Sequence, residues 1–171
     1  MPAMKAMRVA LRKSMGVIAG ILLALLAVGL IADALYPPFM GRLRDHSTLV
    51  LAADDSVLRA FATPDGSWRF PVRASDVDPT FLRYLQTFED GRFGWHPGVD
   101  PLAIARAGWQ AIAAGEIVSG ASTLSMQTAR LLEPRPRGWR AKLIEAVRAV
   151  QLTWRLGNGG VLDTYLTLAP Y

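Results

Sequence analysis

The sequence predicts a mainly α-helical chain anchored by one N-terminal membrane helix, with a small β element between anchor and helical part. Three observations predict this class. A long uncharged apolar run lies near the N-terminus, and apolar residues recur at helical spacing in the later segments. Strand-like patterning is confined to residues 47–72.

The anchor comes first. Lys5, Arg8, Arg12 and Lys13 precede 19 uncharged residues from Ser14 to Ala32. As a helix that run is about 28 Å long, close to the hydrocarbon thickness of a bilayer. Four cations before it and Asp33 after it place the N-terminus in the cytoplasm and the remainder outside. A cleaved signal peptide is the competing reading, since Ala32-Asp33-Ala34 is a small-x-small site, and a buried soluble helix is a third. The boundaries read as a basic tail at 1–13, an anchor at 14–35, a juxtamembrane β region or linker at 36–77, and a helical domain at 78–171.

The net charge of +5 favours anionic partners. Export sets nucleic acid aside and leaves lipid headgroups or a phosphorylated lipid. The chain has no cysteine, which excludes disulfides, thiolate metal sites and cysteine nucleophiles.

Pro37 and Pro38 end the anchor helix. Residues 47–53 and 56–62 flank Asp54-Asp55 as a hairpin, and Pro64-Asp65-Gly66 turns into a short extended piece at 68–72. Asp78 with Pro79 then opens a helix whose Phe81, Leu82, Leu85 and Phe88 share a face and whose last residue is Glu89.

Residues 88–100, F-E-D-G-R-F-G-W-H-P-G-V-D, join two adjacent carboxylates to three glycines, aromatics and a histidine. Aromatic walls strip hydration from a carboxylate and suit it to proton transfer, and glycines let backbone approach a ligand. A solvated acidic turn between two helices accounts for the same composition.

Asp100 and Pro101 open the next helix, with Leu102, Ile104, Ala105, Trp109 and Ile112 as its apolar face and Gly115 as its stop. Arg106 reads as a surface cation. In G-A-S-T-L-S-M-Q-T-A-R (120–130), Ser122 is the expected N-cap of a helix to about Leu132. That helix start offers either a plain cap or amides, hydroxyls and Arg130 to an anion. From Gly138 to Leu156 an amphipathic helix is expected with Leu143, Ile144, Val147, Val150 and Trp154 inward. Lys142, Glu145 and Arg148 sit three apart along it, as surface pairs would. Gly157-Asn158-Gly159-Gly160 ends it, and 161–168 begins another.

These stretches resemble, in order, the four motifs of the peptidoglycan glycosyltransferases, the family 51 transglycosylase domain of class A penicillin-binding proteins. E-D-G-R-F-G-W-H-P-G is similar to E-D-x-x-F-x-x-H-x-G, and G-A-S-T-L-S-M-Q to G-x-S-T-x-x-Q-Q. Lys142 to Glu145 resembles K-x-x-E, and V-L-D-T-Y-L-T resembles I-L-x-x-Y-L-N. Met126-Gln127 and the preceding β region look most like the 1C type. The resemblance implies a lysozyme-like domain, present in its N-terminal part, on the outer face of the bacterial cytoplasmic membrane. It implies polymerisation of lipid II onto a growing glycan strand with release of undecaprenyl pyrophosphate. Glu89 is then the general base and Glu145 the second acid. Asp90, Phe93, His96, Ser122, Thr123, Gln127, Arg130, Arg140 and Lys142 are then the substrate-binding set. A divalent cation, Mg or Mn, near the pyrophosphate is implied too, as are partners among other cell-wall synthesis proteins.

The family pattern is not matched throughout. Its first glutamine is Met126, the arginine before Lys142 is Ala141 with Arg140 one place earlier, and its later lysine and asparagine are Asn158 and Thr167. No S-x-x-K occurs, so no penicillin-reactive site is expected in this chain. The alternative expectation is a truncated, membrane-anchored module that binds lipid-linked substrate or cell-wall partners without turnover. A lytic enzyme on the same scaffold is a third.

Overall fold

A computed structural model describes residues 2–115 and 120–170, with the side chains of residues 1–14 and Leu25 outside the described set. The chain divides into two compact units, Met1–Pro37 and Pro38–Tyr171. The first is one helix, α1 (Pro2–Leu35). Its stretch Met15–Leu35 is long and apolar enough to cross a membrane and is unburied, unlike a soluble core helix.

The second unit begins with a turn of 3-10 helix at Gly41–Arg44 and an antiparallel hairpin, β1 (Thr48–Leu51) with β2 (Val57–Phe61). Thr48 faces Phe61 and Val50 faces Arg59, and an irregularity after Val50 pairs Leu51 with Val57. The turn works because Asp54 Oδ1 accepts from the amide and hydroxyl of Ser56 while Asp55 takes a left-handed φ of 62°. Residues 68–72, expected to be extended, form no strand but tie back to the hairpin's start, where the Ser47 amide donates to the Arg69 carbonyl at 2.8 Å.

The segment expected to be a linker is part of the folded unit. Met40, Leu43, Val72, Ala74 and Val77 pack against the core. The amide of Ala74 donates to Asp163 Oδ1 at 2.7 Å, and that of Val72 to Thr167 Oγ1 at 3.2 Å. Thr167, which departs from the family asparagine, is thus a staple between chain regions 95 residues apart.

Four α-helices follow among the described residues. α2 (Pro79–Glu89) starts at Asp78, which accepts from the Thr80 and Phe81 amides, and ends with Glu89 as expected. α3 (Pro101–Ala114) starts on the Asp100 cap and stops at Gly115, whose φ of 72° is the left-handed geometry a helix end favours. α4 (Leu124–Leu132) is capped by Thr123, whose Oγ1 accepts from the Met126 amide. α5 (Trp139–Leu168) runs 30 residues, broken at Gly157 with φ 67° and ψ 171°, so the expected glycine boundary is a kink between two helices.

Around α4 the core gathers Phe93, Leu124, Ala129, Leu132, Leu152, Val161, Leu162, Tyr165, Leu166 and Leu168. Two stripes expected to face inward do not. Leu102, Ile104, Trp109 and Ile112 of α3 are exposed, and so are Leu143, Val147, Val150 and Trp154 of α5. The face of α5 that packs inward instead contains Glu145, Ala149 and Leu152. The small Ala149 admits a neighbouring backbone closely, which the bulkier stripe does not. Phe81 and Phe88 of α2 are exposed too, with Leu82 and Leu85 making its contact to the core.

Candidate active site

The acidic loop is built inward from its own polar groups. Asp90 closes α2, donating its amide to the Gln86 carbonyl at 2.8 Å. Its buried carboxylate accepts from the Leu124 amide at 3.0 Å and lies 2.9 Å from His96 Nε2. His96 Nδ1 accepts from the Gly98 amide at 3.2 Å, which assigns the ring proton to Nε2 and makes it the donor to Asp90. Asp100 accepts from the Leu102 and Ala103 amides and from Arg92 Nε at 2.8 Å. Burial alone would raise its carboxyl, but the Ala103 amide and the Arg92 guanidinium outweigh that and hold it below the usual carboxylate range. Asp90, His96 and Asp100 place ligand-type atoms within 4.8 Å of one another. Those atoms are already engaged by amides, the imidazole and Arg92, so the trio holds the loop shape.

Gly98 fixes the loop against α5. Its φ is 99°, and a Cβ there would sit 2.4 Å from the Ala149 carbonyl oxygen and 2.9 Å from Thr153 Oγ1. The Gly98 carbonyl accepts from Thr123 Oγ1, and Ser125 Oγ meets Thr153 Oγ1 at 3.1 Å. Loop, α4 and α5 are therefore locked around buried hydroxyls.

That frame presents a polar cavity of about 350 Å³ lined by Glu89, Asp90, Arg92, Arg106, Ser122 and Thr123, among others. A larger and more apolar groove, about 660 Å³, lies between 66–72 and 166–170. Its charged lining residue, Arg69, is tied to Asp65, and the smaller, more polar cavity is the candidate site. Glu89 enters it from the end of α2 with its carboxylate exposed, and Phe88 and Trp95 face solvent. The expected aromatic walls do not enclose Glu89. Gln127 Nε2, from α4, donates to Glu89 Oε2 at 2.8 Å.

The second and third motif stretches meet at Lys142. Its Nζ donates to Ser122 Oγ and, at 2.9 Å, to Glu145 Oε2. With Glu145 buried, Lys142–Glu145 is a partly buried bond and not the solvated pair that its spacing suggests. Ser122 was the expected cap. Thr123 takes that role, which frees the Ser122 hydroxyl for Lys142.

Tyr165, absent from the expected site, is buried among the core residues near Glu89 and Arg130. Burial, then the Glu89 charge, raise its phenol above the ordinary value, and Arg130 opposes them. Arg130 itself is exposed on the last turn of α4. Arg140 stands 5.4 Å over the Trp139 ring and, among the described residues, bonds to none of these groups. Phe93, expected to touch substrate, is instead a core residue at 5% exposure, packed edge-on to His96. Asp90 and His96 likewise spend their polar atoms on each other, on the Leu124 amide of α4 and on the Gly98 amide.

Arg92, which carries no role in the sequence reading, and Arg106, read there as a surface cation, both line the cavity. The available signal for Arg106 was its spacing of three from Ala103, the buried residue of α3, which puts both on one face. Asn158, at the family's lysine position, donates to the Phe93 carbonyl at 3.1 Å and so braces the loop.

Comparison with known proteins finds relatives among the penicillin-binding proteins and transglycosylases. Penicillin-binding protein 1C of Escherichia coli (strain K12) is 43% identical over 140 residues, 82% of this chain and 18% of that protein. A biosynthetic peptidoglycan transglycosylase of Mesorhizobium japonicum is 34% identical over 117 residues, 67% of this chain and 49% of that protein. Penicillin-binding protein 1A of E. coli is 35% identical over 100 residues, 57% of this chain and 12% of its own length. The chain thus spans less than half the length of each of these relatives. The family model described as Transglycosylase matches residues 54–171, which takes in the hairpin turn, the acidic loop, both halves of the cation–acid pair and the final helix. The chain belongs to the transglycosylase family.

Proposed function

We propose that this chain polymerises lipid II into glycan strands, with Glu89 as general base. The observation that supports the reading best is the shared cavity. It sets an exposed carboxylate beside Ser122, whose hydroxyl takes a hydrogen bond from a cation backed by the buried Glu145. A saturated hydroxyl is a poor nucleophile until a base removes its proton, and a pyrophosphate departs readily only when its charge is met. Glu89 takes the proton of the acceptor 4-hydroxyl. The freed oxygen bonds to the donor's anomeric carbon, and the carbon–oxygen bond to undecaprenyl pyrophosphate breaks with its electron pair on the phosphate. Lys142 and Arg130 neutralise that charge, and Glu145 keeps Lys142 aimed. A divalent cation, Mg or Mn, would in this reading be held by the Glu145 carboxylate, one oxygen of which bonds to Lys142. When bound it would add positive charge at the leaving group. The site lies on the outer face of the cytoplasmic membrane, with the N-terminus in the cytoplasm.

The test is polymer formation from labelled lipid II by the detergent-solubilised chain. Glu89→Gln is expected to lower the rate by about a hundredfold or more, the usual range for a lost general base. Undiminished polymerisation would remove Glu89 from the role. One observation favours a second reading, binding without turnover: Arg140 lies over Trp139, away from the Lys142 pair. That reading expects affinity for a lipid-pyrophosphate analogue and no polymer.

A further inference from the structure

We propose that Gln127 is the positioning residue of the base: it pins Glu89 Oε2 and leaves Oε1 as the oxygen that takes the proton. The inference rests on the reading of Glu89 given above and assigns Gln127 a task other than gripping substrate.

Glu89 is the last residue of α2, and its carboxylate ends a side chain with three rotatable bonds at an exposed position. Such a group samples many orientations unless something holds it. Among the described residues one side chain bonds to it, Gln127, 38 residues away in sequence and on a different helix. The backbone that presents Gln127 is fixed. Met126 is 4% exposed and Thr128 fully buried, and the Gln127 amide donates to the Thr123 carbonyl at 3.0 Å. Thr128 also bonds back to the Leu124 carbonyl at 2.8 Å. Gln127 therefore reaches out from a rigid helix to an exposed carboxylate that no other described side chain holds, and the carboxylate is the partner that gets oriented.

Chemistry fixes the direction of the bond. An ionised carboxylate only accepts, so the amide edge turned to Oε2 is the NH2 group. Oε1 takes no hydrogen bond from a described residue and keeps its lone pairs for an incoming hydroxyl. A pinned base in attack geometry is worth more to the transition state than to ground-state binding, so its loss falls on kcat before KM.

The experiment uses the full chain in detergent with labelled lipid II, helix content of each variant being checked by circular dichroism. Gln127→Met keeps the length and removes the donor. It is expected to lower kcat about tenfold to a hundredfold with KM changed less than about twofold. Gln127→Glu sets two carboxylates at hydrogen-bond distance, where they share a proton. Its activity should be low at neutral pH and rise with pH where the wild type is flat. A raised KM with unchanged kcat in Gln127→Met would show a substrate contact and overturn the proposal, as would wild-type kinetics in both variants.

A readout independent of turnover separates this from the base assignment. The Gln127 side-chain amide protons, observed by NMR in 15N-labelled protein, are expected to move upfield in Glu89→Ala. Identical shifts in wild type and Glu89→Ala overturn the pinning even if Glu89 is the base. A clear shift difference with full polymerisation by Glu89→Gln preserves the pair and removes the base.

Discussion

α3 and α4 begin alike and end in opposite environments. Each opens on an oxygen-bearing cap, Asp100 for one and Thr123 for the other. α3 is the longer, at 14 residues, yet Ala103 is its buried residue, while Trp109 and Ile112 are 73% and 81% exposed. α4 has nine residues and buries six, among them Ser125 and Thr128. Hydrophobicity alone therefore does not decide which helix enters a core. α4 is buried because α5 and the acidic loop close over it, and its two buried hydroxyls are tolerated because Thr153 and the Leu124 carbonyl satisfy them. The polar side of α3 is the one that counts for the site, since Arg106 faces the cavity shared with Glu89.

The largest test of that contrast is Leu132→Ala. Leu132 is 1% exposed in the core cluster, and its truncation should cost about 2–5 kcal/mol, read as a lower denaturation midpoint of the chain in detergent. A loss below about 1 kcal/mol would mean that α4 is not the centre of the core.

Gly98→Ala probes the joint between the two regions. An added Cβ meets the Ala149 carbonyl and holds an unfavourable positive φ, so a loss of about 1–3 kcal/mol is expected. Because the shift also moves the loop bearing Asp90, polymerisation should fall by more than the unfolded fraction explains. Wild-type stability would show that the loop does not press on α5.

The smallest effect belongs to α3. Trp109→Gln should change stability by no more than about 0.5 kcal/mol, since the ring buries little against this chain. A loss above about 1 kcal/mol, measured by the same denaturation, would show that something covers this face in solution.

Much of the site was legible beforehand. Glu89 at the end of α2, the Asp78 and Asp100 caps and the break at Gly157 all follow from side-chain chemistry within a few residues. The fates of Phe93 and Ser122 did not. Phe93 turns inward to join the core cluster, and Ser122 yields the cap to Thr123, which leaves its hydroxyl to Lys142, 20 residues on.

The order of helices and the cap chemistry were determined by the sequence by itself, because each depends on neighbours one to four positions away, and the apolar N-terminal span and the four motif stretches are legible in longer runs of it. Tertiary structure alone decided which face of α5 is inward, that Lys142 and Glu145 form a partly buried bond, and that Gln127 meets Glu89. Periodicity marks an apolar stripe but not its partner. Ala149 wins the interior over Val147 because the backbone at Gly98 must approach within the space that only a small residue leaves.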